Sequence, residues 1–297
     1  MNPAPQPLRS WLYAAGNQPR HLAKAFDTGA DAVIIDLEDA VPASEKHAAR
    51  RLCSGVIARH AGDGSRVSLS VRVNAETTGL LADDLAAVVQ PGLVGIRLPK
   101  VEDADAVMRA ADLIARAEAA AGLPDGTVFV VCALETAKGV LAAADIARSH
   151  PRVRALGFGA SDYALDVNAP CTSHGLESLY ARSHLVLASR AGGITAPVDG
   201  AFPNVKDLSG LEASTRHGRD LGFFGRTAIH PSHVPVINAV YTPTQAEVDW
   251  AGEVIGASSE AAAAGKGAIQ LSNGDFVDTP VIARATRILR LSAELNT

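Results

Sequence analysis

Short apolar, β-branched runs alternate along this chain with longer stretches whose apolar residues recur every three or four positions. The first pattern suits strands buried on both faces, and the second suits helices with one apolar stripe. The runs fall at 10–15, 32–37, 66–74, 93–99, 127–134, 153–159, 194–201 and 225–230, which predicts eight strands. Helical periodicity fills the intervals and is clearest over 45–60, 103–121, 176–191 and 207–221. Strands and helices in strict alternation require parallel strands joined by crossover helices. Eight such units predict an α/β fold, a (β/α)₈ TIM barrel, over residues 1–240. An open dinucleotide-binding sheet is disfavoured, because no G-x-G-x-x-G follows the first strand.

The chain continues past the eighth unit. Pro243-Thr244 opens a helix over 245–264, and Gly265-Lys266-Gly267 reads as a connector. Ser272-Asn273-Gly274-Asp275 is a hairpin-type turn, and a last amphipathic helix is predicted from Pro280 to about Leu295. Residues 241–297 therefore predict a C-terminal helical arm that packs on the barrel or reaches a neighbouring subunit.

Composition narrows the function. Apolar residues make up 47% and charged residues 20%, enough for a large core and against disorder. Charges of both signs are interspersed around a net −5, with no basic stripe, so no nucleic-acid partner is expected. Aromatics at 4% offer no stacking platform for single strands. Cys53, Cys132 and Cys171 are too few and too scattered for a disulfide framework or a thiolate metal site, which fits a reducing cytoplasm. Met1 to Pro7 is polar and Pro-rich without a secretory pattern, and apolar runs such as 128–134 are far short of a membrane span. A cytoplasmic protein with no membrane partner is expected.

Barrel chemistry sits at the C-terminal ends of the strands, so the residues there are the candidates. Strand two ends in Asp36-Leu37-Glu38-Asp39, three in Arg72-Val73-Asn74, four in Lys100 and five in Glu135. Strand six ends in Ser161-Asp162, seven in Asp199 and eight in His230. Taken singly, each suits a helix cap or a loop carboxylate. Taken together, Asp36, Glu38, Arg72, Glu135 and Asp162 converge on one mouth and predict a site. Glu135 and Asp162 end adjacent strands and offer the oxygen ligands that Mg²⁺ or Mn²⁺ takes. Without a metal, two facing carboxylates would share a proton as a general acid/base pair. Arg72 presents a fixed fork to a substrate carboxylate or a developing oxyanion, or serves as counter-ion to Asp36 or Glu38. Lys100 has the chemistry for a Schiff base, with a salt bridge to Glu102 or another rim acid as the competing role. His230 reads as a hydrogen-bonded structural residue.

These residues sit in segments that resemble the citrate lyase β-subunit-like branch of the HpcH/HpaI aldolases, which includes malyl-CoA and citramalyl-CoA lyases. The resemblance rests on Arg9-Ser10-Trp11-Leu12, on the run from Gly29 through Asp36-Leu37-Glu38-Asp39 to Val41, and on Val71-Arg72-Val73-Asn74. Leu98-Pro99-Lys100, Leu134-Glu135-Thr136-Ala137, Ala228-Ile229-His230-Pro231 and Asp278-Thr279-Pro280-Val281 extend it over nearly the whole chain.

The resemblance implies a (β/α)₈ barrel with Mg²⁺ held by Glu135 and Asp162, and Arg72 on the substrate's oxygens. Asp36 and Glu38 would order the metal's water shell. Asp278 on the arm of an adjacent subunit would be the catalytic acid/base, and Arg20 and Lys24 would help hold CoA. Three positions depart from the family pattern. Ala14-Ala15-Gly16 replaces Val-Pro-Gly, Gln18 stands where an Arg is common, and Ser161-Asp162 replaces Glu-Asp.

The implied reaction cleaves or condenses a hydroxyacyl-CoA such as malyl-CoA or citramalyl-CoA, with an acyl-CoA and a small keto acid as the other side. The metal chelates the acid, backbone N–H groups around Ala160 and Ser161 bind its carboxylate, and Arg72 stabilises negative charge. The alternatives are a citrate lyase β-like subunit acting on an acyl-carrier-protein thioester and a metal-dependent pyruvate aldolase without CoA. An arm that carries a catalytic group implies a homo-oligomer, a trimer or hexamer.

Overall fold

Seven of the apolar runs are strands of one parallel sheet. They are β1 (Ser10–Ala15), β2 (Ala32–Asp36), β3 (Ser68–Arg72), β4 (Gly95–Leu98), β5 (Phe129–Leu134), β6 (Val153–Phe158) and β7 (Arg226–Ala228). The structure is a computed structural model that describes residues 7–62, 64–172, 175–263, 269–271 and 274–295. Strand order is β6-β5-β4-β3-β2-β1-β7, and every pairing is parallel. Chain neighbours are therefore sheet neighbours from β1 to β6, with β7 returning beside β1, and the sheet curls.

The predicted strand at 194–201 is corrected by the structure. It contributes two isolated parallel bridges, Gly157 to Val198 and Asp199 to Arg226. Val198 N donates to Leu156 O at 2.8 Å, and Asp199 N donates to Gly225 O at 2.9 Å. Pro197 has no N–H to donate, so a continuous ladder cannot form through this segment. It touches β6 on one side and β7 on the other all the same.

The connecting helices are α1 (Pro19–Ala25), α2 (Lys46–His60), α3 (Leu81–Val88), α4 (Ala104–Ala120), α5 (Ala137–Leu141) and α6 (Ala143–Arg148). Then come α7 (Ala160–Asp166), α8 (Leu179–Gly192), α9 (Leu208–Leu221) and α10 (His233–Tyr241). Two expected helix starts are caps: the Asp103 carboxylate accepts Ala106 N at 2.8 Å, and the Asp207 carboxylate accepts Gly210 N at 2.8 Å. Cys53 on α2 and Cys132 on β5 are buried, and Cys171 is exposed.

Side chains alternate across the sheet, so one set of residues shares the inner face. Trp11, Ala32, Ile34, Val131, Ala155 and Val198 form its apolar floor. Register carries Asp36 of β2 opposite Arg72 of β3, and Arg72 opposite Arg97 of β4. Charge thus enters the inner face only above an apolar base.

The chain separates into two compact units, Leu8–Asn238 and a second beginning at Ala239. In the second, α11 (Gln245–Ala263) and α12 (Thr279–Leu295) pack around Ala251, Val254 and Ala285, with Leu271 and Val277. A small antiparallel pair, β8 (Ile269–Gln270) and β9 (Phe276–Val277), belongs to the same unit. The predicted connector at Gly265-Lys266-Gly267 and the turn residues Ser272-Asn273 lie outside the described residues.

Candidate active site

A cavity of about 720 Å³ opens where β1, β2, β3, β5, β6 and β7 end, lined among others by Ala15, Asp36, Arg72, Glu135, Gly159 and His230. Of the predicted rim residues, Asp36, Asp39, Arg72, Glu135, Ser161, Asp162 and His230 line this space, whereas Glu38, Asn74, Lys100 and Asp199 do not. Their partners divide them into two groups.

The first group is locked. Arg72 Nε donates to Asp36 Oδ1 at 2.8 Å and Nη2 to Asp36 Oδ2 at 2.6 Å, a fork-to-fork pair. Arg72 Nη1 lies 2.8 Å from Glu38 Oε2 and 3.1 Å from Asp39 Oδ2. Asp36 also accepts Glu38 N at 2.9 Å and Ala40 N at 3.1 Å, which folds the Asp36-Leu37-Glu38-Asp39 segment back on its own carboxylate. Lys46 of α2 clamps the same segment, donating to the Leu37 and Glu38 carbonyls at 2.6 Å each. Lys100 donates to Glu38 Oε1 at 2.9 Å and adopts φ 52°, a left-handed conformation uncommon for lysine. Burial alone would lower the Lys100 pKa, but the Glu38 hydrogen bond and nearby acids raise it above the ordinary lysine value. A Schiff-base lysine needs the opposite shift, so the ion-pair role holds, with Glu38 as partner. Glu102 pairs with Lys138 at 3.1 Å instead.

The second group is unsatisfied. Glu135 is 4% exposed, and its Oε2 has no hydrogen-bond partner among the described residues. Burial, then the charges of Glu38 and Asp162, push its pKa up to about 7. Gly159 is what lets this side chain through: a Cβ there would stand 2.2 Å from Glu135 Cγ. Asp162 sits in the first turn of α7 and lines the cavity with Ala160 and Ser161. An orphaned, buried carboxylate beside a second acid is a donor set that fits a hard divalent cation. No cluster of three or more His, Cys, Asp or Glu suited to a metal occurs among the described residues. Two carboxylates with water and substrate filling the remaining positions is the usual way Mg²⁺ is held.

The other expected positions fall as follows. Lys24 of α1 lines the cavity beside His21, whereas Arg20 is exposed and is not part of the lining. Asn74 is tied to α3, donating from N and Nδ2 to Asp84 Oδ2 at 2.7 and 2.6 Å. Asp199 is buried against Arg182 at 2.6 Å and Arg226 at 3.4 Å and is not in the cavity lining. His230 lines the cavity with Nδ1 2.8 Å from Ser232 Oγ. Asp278 is exposed in the second unit and caps α12, its Oδ1 accepting Val281 N at 3.2 Å.

Tyr13, Arg97 and Lys46 were not anticipated. The Tyr13 ring lies 5.0 Å from Arg72 Cζ and 5.8 Å from Arg97 Cζ, so it backs both guanidinium groups. For Tyr13 and Arg97 the available signal was a charged or polar residue at an inner-face position inside an apolar strand; Lys46, at the start of α2, had no such signal.

A carboxylate-lined cavity at the C-terminal ends of a curled parallel sheet is the active-site arrangement of TIM-barrel-type enzymes, and residues 184–280 match the profile of C–C bond lyases of the TIM-barrel fold. The chain belongs to the HpcH/HpaI aldolase/citrate lyase family, whose profile spans residues 9–231, and is a carbon–carbon lyase of that family. Citrate lyase subunit beta of Leuconostoc mesenteroides subsp. cremoris is 38% identical over 96% of this chain and 93% of its own length. The (3S)-malyl-CoA thioesterase of Cereibacter sphaeroides (strain ATCC 17025 / ATH 2.4.3) is 38% identical over 95% of this chain and 94% of its own. Among solved structures, the protein CitE of Mycobacterium tuberculosis in complex with magnesium, acetoacetate and coenzyme A superposes with a TM-score of 0.77. That likeness has 29% identity and covers 98% of this chain and 99% of that one. No helix among the described residues is long and apolar enough to cross a membrane.

Proposed function

We propose that this enzyme cleaves, or in reverse forms, a hydroxyacyl-CoA such as malyl-CoA or citramalyl-CoA, with an acyl-CoA and a small keto acid as products. The seven strands and the bridging segment around Val198 are read as a (β/α)₈ barrel whose mouth is the cavity. The observation that carries the reading is Glu135, buried without a partner beside Asp162. These two would hold Mg²⁺, or Mn²⁺, which supplies Lewis-acid polarisation of the acid's oxygens. CitE, bound to magnesium, acetoacetate and coenzyme A, supports that assignment.

The chain's own groups do the rest. Arg72 has spent Nε, one Nη2 and one Nη1 hydrogen on Asp36 and its neighbours, and a guanidinium carries five. The remaining two serve the substrate oxygens while Asp36 and Glu38 hold the fork in place. Ala160 and Ser161 open α7 and offer backbone N–H groups to the acid's carboxylate. Lys24, with Arg20 outside the rim, meets the CoA phosphates. Asp278, delivered by the arm of a neighbouring copy in a trimer or hexamer, takes the hydroxyl proton. The carbon–carbon pair of electrons then passes to the thioester as its enolate, which is reprotonated to the acyl-CoA.

Two relatives favour specific alternatives. The citrate lyase subunit beta favours an acyl-carrier-protein thioester as substrate, and the malyl-CoA thioesterase favours hydrolysis. One assay separates them: incubation with Mg²⁺ and a panel of hydroxyacyl-CoA esters, products followed by mass. A lyase yields acyl-CoA and keto acid, and a thioesterase yields free CoA and intact hydroxy acid. Turnover only with carrier-protein thioesters would assign the subunit role.

A further inference from the structure

Glu135 and Asp162 are carried by two segments that part at the rim of the sheet. The β5–β6 register ends at Leu134 and Phe158, and the last tie between the two chains there is Gly159 N donating to Leu134 O at 3.0 Å. Beyond it, one segment runs through Glu135 and Thr136 into α5, and the other runs through Gly159 into α7. The ladder itself does not fix how far apart the two acids stand.

A second tie closes beyond them. Ala137 N donates to Asp166 Oδ2 at 2.7 Å, from the first residue of α5 to the last residue of α7. Together with the Gly159–Leu134 bond it makes a closed ring of chain, with Glu135 on one side and Asp162 on the other. Asp162 and Asp166 are four residues apart and share a face of α7. Asp166 is poorly placed for its own helix, because an acid is disfavoured at a helix C-terminus. It is exposed, and no Lys or Arg pairs with it among the described residues. What it satisfies is α5, whose Ala137 N–H is one of the donors a helix start leaves over. Thr136 caps another, its Oγ1 accepting Gly139 N at 3.1 Å. The backbone next to Glu135 is thus held by its own helix cap and by α7.

We propose that Asp166 is a positioning residue that sets the separation of Glu135 and Asp162 for a divalent cation, which rests on those two acids holding Mg²⁺. Asp166 touches neither metal nor substrate and acts through the Ala137 N–H. Two carboxylates brought together repel each other until a cation arrives, so the ring must resist their spreading. Mg²⁺ accepts little departure from octahedral geometry with ligands at about 2.1 Å, so a ring that opens even slightly weakens binding.

The test is calorimetric titration with Mg²⁺ of variants that break the tie from either side. Asp166→Ala removes the acceptor and should lower affinity about 10-fold, the low end for residues that support metal ligands. Asp166→Asn keeps an acceptor oxygen without the charge and should stay close to the parent. Ala137→Pro removes the donor and keeps the charge. Proline suits the first position of a helix, and Thr136, at φ −132° and ψ 158°, already has the extended backbone that precedes proline. Its loss should match that of Asp166→Ala, and the two changes combined should lose no more than either alone. Parent-like affinity in Asp166→Ala or Ala137→Pro overturns the proposal, as do additive losses. Equal loss in Asp166→Asn and Asp166→Ala assigns the effect to charge and overturns it too. Should Asp166→Ala fail to fold, Ala137→Pro and Asp166→Asn carry the test: loss in the first and not the second supports the tie, and any other pattern overturns it. If the parent binds no Mg²⁺, or Glu135→Gln binds it as the parent does, the metal reading itself has failed, and this proposal with it. Binding that needs Glu135 but ignores Asp166 overturns this proposal alone.

Discussion

An acid whose charge is unwelcome until a cation arrives couples metal binding to pH. Glu135 is held near pKa 7, against an ordinary value of 4.5, by burial and neighbouring acids. Below pH 7 a proton occupies it, so Mg²⁺ affinity should rise as pH increases through 7 and level off above. Calorimetry in buffers of different ionisation enthalpy should count close to one proton released per metal below that point and none well above it. For the metal-free protein the sign is the reverse of the usual carboxylate case. The folded state binds the extra proton between 4.5 and 7, so the Glu135 contribution destabilises progressively as pH rises across that window. Melting scans should show Mg²⁺ stabilising more at pH 8 than at pH 6. Arg72 has both of its expected roles to lose. Arg72→Lys keeps the charge but not the fork, so kcat/KM should fall on the order of 10²-fold, and Tm should fall too because the Asp36 pairing is broken. Normal kinetics with a lowered Tm would leave only the counter-ion role. The strand-end acids were legible because each one terminates an apolar run. Arg97 and Tyr13 were not, since they lie inside runs that read as uniformly buried, and only the inner-face register separates them from core residues.

Strand β4 and its neighbours show where periodicity reads well and where it stops. Six runs became ladder strands one after another because apolar residues recur on both of their faces, and long helices such as α4 declared themselves by stripe and cap. The segment at 194–201 looked equally apolar, yet Pro197 removes a donor and the ladder shrinks to bridges. α5, α6 and α7 have seven residues or fewer, too short for a repeating stripe. The start of α7 nonetheless carries Asp162, the second acid proposed for the metal, and Gly159 before it sets the clearance for Glu135. Gly159→Ala places a methyl group on the Glu135 stem, which must swing or shift the backbone. Overpacking of this kind costs about 1–3 kcal/mol. The same variant should lose Mg²⁺ affinity in a titration; unaltered metal binding would show that Glu135 is not a ligand.

At the scale of the whole molecule the alternation of strands and helices ends with β7, and the helices α10, α11 and α12 follow. The expectation for Asp278 came only from the Asp278-Thr279-Pro280-Val281 resemblance, since an exposed Asp capping a helix is ordinary chemistry. If the arm works across a subunit boundary, Asp278→Asn should bind metal and keto acid yet not turn over. Coexpression with Glu135→Ala under two tags should then restore part of the activity in the mixed oligomer, which pairs an intact cavity with an intact arm. Proven mixed oligomers without recovery would place Asp278 in its own chain's reaction, and full turnover of the Asn variant would remove it from the mechanism. The distribution of thiols gives the molecule a timekeeper of its own. Burial raises the pKa of Cys53 and takes that of Cys132 to about 12, while Cys171 is exposed, so alkylation of the native protein should stop at one equivalent. With Cys171→Ser in place, each later modification records an opening of α2 or of β5 to the reagent. The residual alkylation rate then becomes a stopwatch for breathing of the sheet, and Mg²⁺ with keto acid should slow it at Cys132.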